Sequence, residues 1–332
     1  METPPLQKMM PHALDEGGAR KRIRAIIYTA LALFALVAGA LAIEYRRGSE
    51  TVVASAQTAA AASVKNYFAD VSLAAESAIV YDIKNNKILY AHNADAQLPL
   101  ASITKVPLAI VVSEVFEPDF VMSIPRDAYS SVSVEKLGKG ERWSVKNITD
   151  FTLVASSNAG AEILAEAAEK AIRSRYPDIP EESAALWRMN ELAKELGLES
   201  TYFLNTSGLD ISENLSGAYG SARDVAELFG FAASWYRTVF NATAQNGVVL
   251  ASTDGSRKLT VYNTNVAIGD FPGLIMGKTG ITDLAGGNLA VVFEVAPAHP
   301  IAAVVLGSTR DGRFDDMKIL AERTRRAVAD IK

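Results

Sequence analysis

The first strong pattern in the chain is an unbroken apolar run. From Ala25 to Ile43 (AIIYTALALFALVAGALAI) no charged residue occurs. At helical rise the run measures about 28 Å, close to the roughly 30 Å hydrocarbon core of a bilayer. Apolar on every side and preceded by basic residues, it reads as a membrane-spanning helix rather than a core helix. An Ala/Ser/Val-rich stretch follows up to Glu76, either helix or spacer. Strand patterning then begins: Ser77–Ile83 and Lys87–His92 flank the turn formers Asn85-Asn86, a hairpin. A helix is predicted from about Ser102 to Phe116, with Pro107 in its second turn, where a backbone donor is lost. Helical patterning covers Ile148–Tyr176 with a break near Ser156–Asn158, then Ser183–Leu196 ending at Gly197, then Ser221–Tyr236. The period changes in the last third. Leu274–Ile281, Asn288–Val295 and Ile301–Gly307 are short apolar strands, and an amphipathic helix runs from Asp315 to Ile331. Strands at both ends with helices between predict an α/β body: one sheet and a helical insertion. No internal repeat is visible.

Composition narrows the chemistry. The 332 residues are 49% apolar and 21% charged, enough for a buried core in one large or two modest domains. There is no cysteine, which removes disulfides, thiol nucleophiles and thiolate metal sites. His12, His92 and His299 are scattered without metal-ligand spacing, so neither a metal nor a cofactor is expected. The net charge of −5 is uneven: up to Arg47 the balance is +3, which leaves −8 on the remainder. An acidic body argues against nucleic acid as a partner, because phosphate contacts need clustered Lys and Arg.

Arg20, Lys21, Arg22 and Arg24 stand just before the apolar run. The positive-inside rule then keeps the N-terminus cytoplasmic and puts the body on the extracytoplasmic side of the cell membrane. Ala40-Leu41-Ala42 resembles a signal-peptidase site, but the long polar N-terminus favours an uncleaved single-pass anchor. The expected layout is a tail (1–24), an anchor (25–43), a spacer (44–76) and a catalytic body (77–332).

Three short motifs carry the candidate chemistry: Ser102-Ile103-Thr104-Lys105 (S-x-x-K), Ser156-Ser157-Asn158 (S-x-N) and Lys278-Thr279-Gly280 (K-T-G). Each alone is weak. Ser133-Val134-Glu135-Lys136 is a second S-x-x-K, and Ser212-Glu213-Asn214 a second S-x-N. Context separates them. Ser102 opens an apolar helix after a hairpin, whereas Ser133 sits in a polar, Gly-punctuated stretch and Ser212 in a loop. Residues three apart share a helix face, so Lys105 can reach the Ser102 hydroxyl. A neutral amine can take its proton if burial or a neighbouring cation lowers the lysine pKa, and Lys278 is a candidate for that cation. The Ser102 N–H, at a helix start, is free to stabilise an oxyanion.

From about Ser77 onward the chain resembles the low-molecular-mass penicillin-binding proteins of the D-alanyl-D-alanine carboxypeptidase family. The resemblance extends beyond the triplets. It includes LPLASITK (Leu98–Lys105), the long segment Leu137–Glu166 around S-x-N, FLNTSGLD (Phe203–Asp210) and SARDVAELF (Ser221–Phe229). Two more phrases, KTGITDLAGGNLAVV (Lys278–Val292) and VVLGSTRDGRF (Val304–Phe314), complete it, all in the family's order. It implies the β-lactamase/DD-peptidase-like transpeptidase fold, an antiparallel sheet flanked by helices with an all-helical insertion. It also implies roles. Ser102 is acylated by a peptidoglycan stem ending in D-Ala-D-Ala, or by a β-lactam acting as inhibitor. Lys105 is the base and Ser156 relays a proton to the leaving group. Asn158 holds the substrate amide, and Lys278, Thr279 and Gly280 bind the substrate carboxylate. Ile281 offers a second oxyanion N–H. Arg313 is either a carboxylate partner or a surface arginine.

The family often has a second β domain and a C-terminal amphipathic anchor; here the sequence stops just after the helix that should close the sheet, so the N-terminal run is expected to supply the tether. Ile281 after K-T-G also differs from many members. Rival readings are a β-lactamase, whose E-x-x-L-N phrase is absent, a DD-endopeptidase with the same residues, and a non-catalytic binder of wall peptide, which needs neither nucleophile nor base.

Overall fold

The computed structural model describes residues 66–125, 137–180 and 183–330. The anchor at Ala25–Ile43, the first part of the spacer, the Ser133–Lys136 decoy and Ile331 lie outside them. Among the described residues no helix is long and apolar enough to cross a membrane.

The sheet forms as the hydrophobic pattern requires. Strands β1 (Ser77–Asp82) and β2 (Lys87–His92) pair as the expected hairpin. Strands β10 (Leu274–Thr282), β11 (Gly286–Ala296) and β12 (His299–Ser308) return from the far end of the chain. The order is β10-β11-β12-β1-β2, with every pairing antiparallel. Side chains alternate between faces. Leu289, Val291 and Phe293 of β11 and Ile301, Ala303 and Val305 of β12 fill one core. Ala290, Val292, Ala302, Val304 and Leu306 fill the other. Burial on both faces explains why these strands read as continuous apolar runs rather than alternating ones.

On the first face lies the last helix, α6 (Gly312–Ala329), through Met317, Leu320 and Ala321. Residues 66–76, counted above with the spacer, also lie here. Phe68 stacks on Tyr90 at 5.2 Å between ring centroids, and the N–H groups of Ala74 and Ala75 donate to the Asp316 carboxylate at 2.9 Å each. The folded body therefore begins ahead of Ser77.

The second face carries α1 (Lys105–Val115), α2 (Val145–Val154), α3 (Asn158–Arg175), α4 (Ala184–Glu195) and α5 (Ala222–Trp235). Helices α2 to α5 each start on a serine, Ser144, Ser157, Ser183 and Ser221, whose Oγ accepts the N–H three residues on. This capping satisfies a donor that the helix itself leaves free. Helix α1 is buried continuously from Lys105 to Val112, as an all-round apolar helix must be.

The predicted start of α1 at Ser102 is corrected. Ala101–Thr104 form a tight 3-10 turn, and the α-helix begins at Lys105. Pro107 is thus the third residue of the α-helix, among the positions whose N–H has no helical partner, so it removes no bond there.

The insertion is not purely helical. It contains β4 (Val121–Ser123) paired with β5 (Arg142–Ser144), and a small sheet of β3 (Leu98–Pro99), β7 (Ala218–Gly220) and β6 (Tyr202–Phe203). It also contains a hairpin of β8 (Gly247–Ala251) and β9 (Lys258–Tyr262). Two- and three-residue strands carry no readable period. The β8–β9 hairpin did have a signal, since Asp254-Gly255 divides two apolar runs.

Candidate active site

The site forms where the start of α1, the α2–α3 break and β10 meet. Three local devices build it. Ala101, just before Ser102, adopts φ 49°, and Ser156, between α2 and α3, adopts φ 56°. Non-glycine residues seldom occupy this left-handed region, and it persists where surrounding contacts hold it. The Ala101 carbonyl is held by the Thr104 hydroxyl at 2.7 Å. Behind that carbonyl stands Gly208, where a Cβ would come within 1.9 Å of the Ala101 oxygen. Gly280 of K-T-G is the other close approach: its Cβ would lie 2.8 Å from the Leu100 carbonyl. Glycine in both phrases lets neighbouring backbone press against the turn that presents Ser102.

Lys105 is fully buried, and its Nζ touches three oxygens: Ser102 Oγ at 2.8 Å, Asn158 Oδ1 at 2.7 Å and the Ser207 carbonyl at 2.6 Å. Two of the three can only accept. A neutral amine has two protons, one for each of them. Its lone pair is then left facing Ser102, whose hydroxyl donates to it. Burial lowers the Lys105 pKa to about 7, against an opposing pull from Glu162. Near neutrality a large share of the amine is therefore free to act as a base.

Lys278 is also buried, and donates to Ser156 Oγ at 2.8 Å and to the Thr279 carbonyl at 2.8 Å. Burial first, then the charges of Lys105 and Arg313, push its pKa well below the usual lysine range. Burial is the first cause that depresses Lys105, and the charge of Lys105 in turn depresses Lys278. The Thr279 hydroxyl pairs with that of Thr264 at 2.6 Å. Helix α3 points its N-terminus at this cluster through Asn158, which adds partial positive charge.

With this geometry in hand, comparison with known proteins decides the lineage. Residues 60–310 match the D-alanyl-D-alanine carboxypeptidase family, peptidase S11. The chain belongs to that family. It is 29% identical over 241 residues to D-alanyl-D-alanine carboxypeptidase DacF of Bacillus subtilis, covering 71% of this chain and 58% of that relative's length. It is 30% identical over 243 residues to a D-alanyl-D-alanine endopeptidase of Pseudomonas aeruginosa, covering 70% of this chain and 71% of the relative. Among solved structures, it resembles penicillin-binding protein D2 of Listeria monocytogenes in its ampicillin-bound form. That likeness has a TM-score of 0.64 and 26% identity, and covers 76% of this chain and 98% of the other.

Around this S11-family site the structure gathers Ser102, Lys105, Ser156, Asn158, Lys278 and Thr279 through hydrogen bonds, and seats Gly280 against the Ser102 turn. Ile281 follows on β10, half-buried and opposite Gly287. Arg313 is not a surface arginine. It is 6% exposed, its Nη1 donates to the Gly280 carbonyl at 2.6 Å, and its guanidinium lies over the Phe314 ring. The second S-x-N is not part of the site: Ser212 and Asn214 lie in an exposed loop closed by a bridge to Leu215.

Several contributors escaped the sequence reading. Ser207 acts through its backbone, and only its place in the FLNTSGLD phrase hinted at it. Asp210 of that phrase ties down the β10–β11 turn, accepting from Thr282 Oγ1 at 3.0 Å and the Leu284 N–H at 3.2 Å. Thr264 had no signal at all.

Proposed function

We propose that this protein is a membrane-tethered serine D-Ala-D-Ala carboxypeptidase. It trims the terminal D-Ala from peptidoglycan stem peptides through an acyl-enzyme on Ser102, and β-lactams acylate the same serine. The reading rests chiefly on the Lys105 amine, held by two obligate acceptors with its third contact on Ser102 Oγ. In this reading Lys105 takes the Ser102 proton as Oγ attacks the carbonyl of the penultimate D-Ala. The N–H groups of Ser102 and Ile281 receive the oxyanion. Ser156, bonded to Lys278, passes a proton to the departing amine as the C–N bond breaks. Asn158 holds the substrate amide. Lys278, Thr279 and Gly280 receive the terminal carboxylate, with Arg313 behind Gly280 supporting it. Water then hydrolyses the ester.

The apolar run Ala25–Ile43 supplies the anchor, and residues 1–24 remain cytoplasmic, so the body works outside the membrane. Washing membranes with high salt tests this. A hydrophobic span resists extraction, whereas a charge contact is screened.

The deciding experiment couples two measurements on one preparation: labelling by fluorescent penicillin, and D-Ala release from a diacetyl-Lys-D-Ala-D-Ala peptide. Wild-type protein labels and releases D-Ala, and Ser102→Ala does neither. Labelling that persists in Ser102→Ala would refute the assignment. Rapid hydrolysis of a chromogenic cephalosporin without D-Ala release would favour a β-lactamase. A second reading, DD-endopeptidase, draws support from the Pseudomonas aeruginosa relative, which the chain covers over more of its length than it does the Bacillus subtilis one. Cleavage of a crosslinked dimer in preference to the pentapeptide would select it.

A further inference from the structure

The Thr264 hydroxyl takes no part in the chemistry above, yet it lies 2.6 Å from that of Thr279, the middle residue of K-T-G. Its segment joins β9 to β10 and is fastened on both sides of the site. The Thr264 N–H donates to the Val154 carbonyl at 3.1 Å, two residues before Ser156. The Asn263 side chain donates to the Thr243 and Gln245 carbonyls at 2.9 and 3.0 Å. The Thr243 hydroxyl oxygen in turn accepts from the Gly277 N–H, next to Lys278, at 3.2 Å. Asn265 is buried, and its Oδ1 accepts from the Ala267 N–H at 3.1 Å. These bonds hold the segment in place, so the Thr264 hydroxyl is not needed as a fastener. Branching at its β-carbon limits the directions in which that hydroxyl can point.

Two hydroxyls carry two protons and four lone pairs, and only one proton fits between oxygens 2.6 Å apart. The other proton points away from the pair. Among the described residues, neither hydroxyl makes a further hydrogen bond. The neighbouring donors are already engaged: Lys278 Nζ with Ser156 Oγ and the Thr279 carbonyl, and Arg313 Nη1 with the Gly280 carbonyl. A carboxylate accepts and cannot donate. Placed against Thr279, it admits one order of bonds: Thr264 donates to Thr279, and Thr279 donates to the carboxylate. A hydroxyl that accepts one hydrogen bond becomes a stronger donor of the next, and a bond to an ionised oxygen is the stronger kind.

We propose that Thr264 is a positioning residue for the terminal carboxylate of the substrate: its hydroxyl donates to that of Thr279, and so commits the Thr279 proton to the carboxylate. The inference rests on the carboxypeptidase reading, in which K-T-G receives that carboxylate. Thr264 acts through Thr279, so its loss weakens recognition of a carboxylate more than it weakens the attack by Ser102. Losing one neutral hydrogen bond of this kind costs about two- to tenfold in the rate of reaction with a carboxylated ligand. Penicillin carries a carboxylate and its methyl ester does not, which isolates the effect.

The test uses the full chain. Second-order rates of Ser102 acylation are measured for benzylpenicillin and for its methyl ester in three proteins. These are wild type, Thr264→Val, which keeps the shape and loses the hydroxyl, and Thr264→Ser, which keeps the hydroxyl. Thermal unfolding establishes that each folds, and Thr264→Ala takes the place of Thr264→Val if the valine variant does not. Wild type is expected to prefer the acid to the ester. Thr264→Val should reduce that preference about two- to tenfold, and Thr264→Ser should restore it. An unchanged preference in folded Thr264→Val, with acid and ester slowed equally or not at all, would overturn the proposal, because a role confined to packing slows both alike. Wild-type protein that releases D-Ala but reacts equally with acid and ester would also overturn it, and would leave the carboxypeptidase reading standing. If wild-type protein neither labelled nor released D-Ala, that reading would fall and the proposal with it.

Discussion

The Nζ of Lys278 lies 2.8 Å from the Oγ of Ser156, although 122 positions separate them along the chain. Ser156 is held in a left-handed conformation at a helix break, and Lys278 is buried inside a strand. Neither arrangement is favourable alone. Together they fix the hydroxyl that, in the proposed mechanism, protonates the leaving amine. Replacing Lys278 with Ala should slow acylation of Ser102 by about 10²- to 10⁴-fold, the usual contribution of a positioned proton relay. Rapid-mixing measurement of penicillin labelling checks this. A loss under tenfold would place the proton path elsewhere.

The pH dependence of acylation should report Lys105. Its pKa is lowered by burial to about 7. Below that value the amine carries a third proton and has no lone pair for the Ser102 hydroxyl. The labelling rate should therefore fall about tenfold per pH unit on the acid side and level off above the midpoint. A profile still climbing towards pH 10 would mean that Lys105 is not the base.

Two glycines with similar backbone conformation should respond differently to substitution. Gly208 has φ 77° and Gly197 has φ 71°, but a Cβ at Gly208 would meet the Ala101 carbonyl at 1.9 Å, while one at Gly197 meets nothing within 4 Å. Gly197→Ala should lose only the left-handed backbone cost, about 1–2 kcal/mol. Gly208→Ala adds overpacking of about 1–3 kcal/mol and displaces the turn that presents Ser102. Chemical denaturation gives the stabilities, and penicillin labelling should fail in Gly208→Ala alone.

Asp316 is buried and accepts from the Ala74 and Ala75 N–H groups at 2.9 Å and from the Ser308 hydroxyl at 2.6 Å. Asp316→Ala strands three donors and should destabilise the body by about 2–3 kcal/mol. If residues 66–76 belong to the folded unit, the same variant should become more sensitive to proteolysis near Ala74. A melting temperature equal to wild type would show that this segment contributes nothing.

Much of this protein was readable along the chain because the deciding interactions are local. The hairpin at Ser77–His92, the helix break at Ser156 and the serines that start α4 and α5 depend on hydrogen bonds spanning a few residues. The Ser102–Lys105 contact is set by helical spacing, and the order of the motifs identified their family. What tertiary structure alone decided lies across the sheet and between helices. Burial from all sides, which no spacing encodes, tunes Lys105. It also pushes the Lys278 pKa well below the usual lysine range. The Ser207 carbonyl and the Thr264 hydroxyl matter only through where the chain returns. Arg313 shows the division most plainly: its sequence permitted a carboxylate partner or a surface side chain, and packing of α6 against β11 and β12 buries it with its guanidinium on the Gly280 carbonyl.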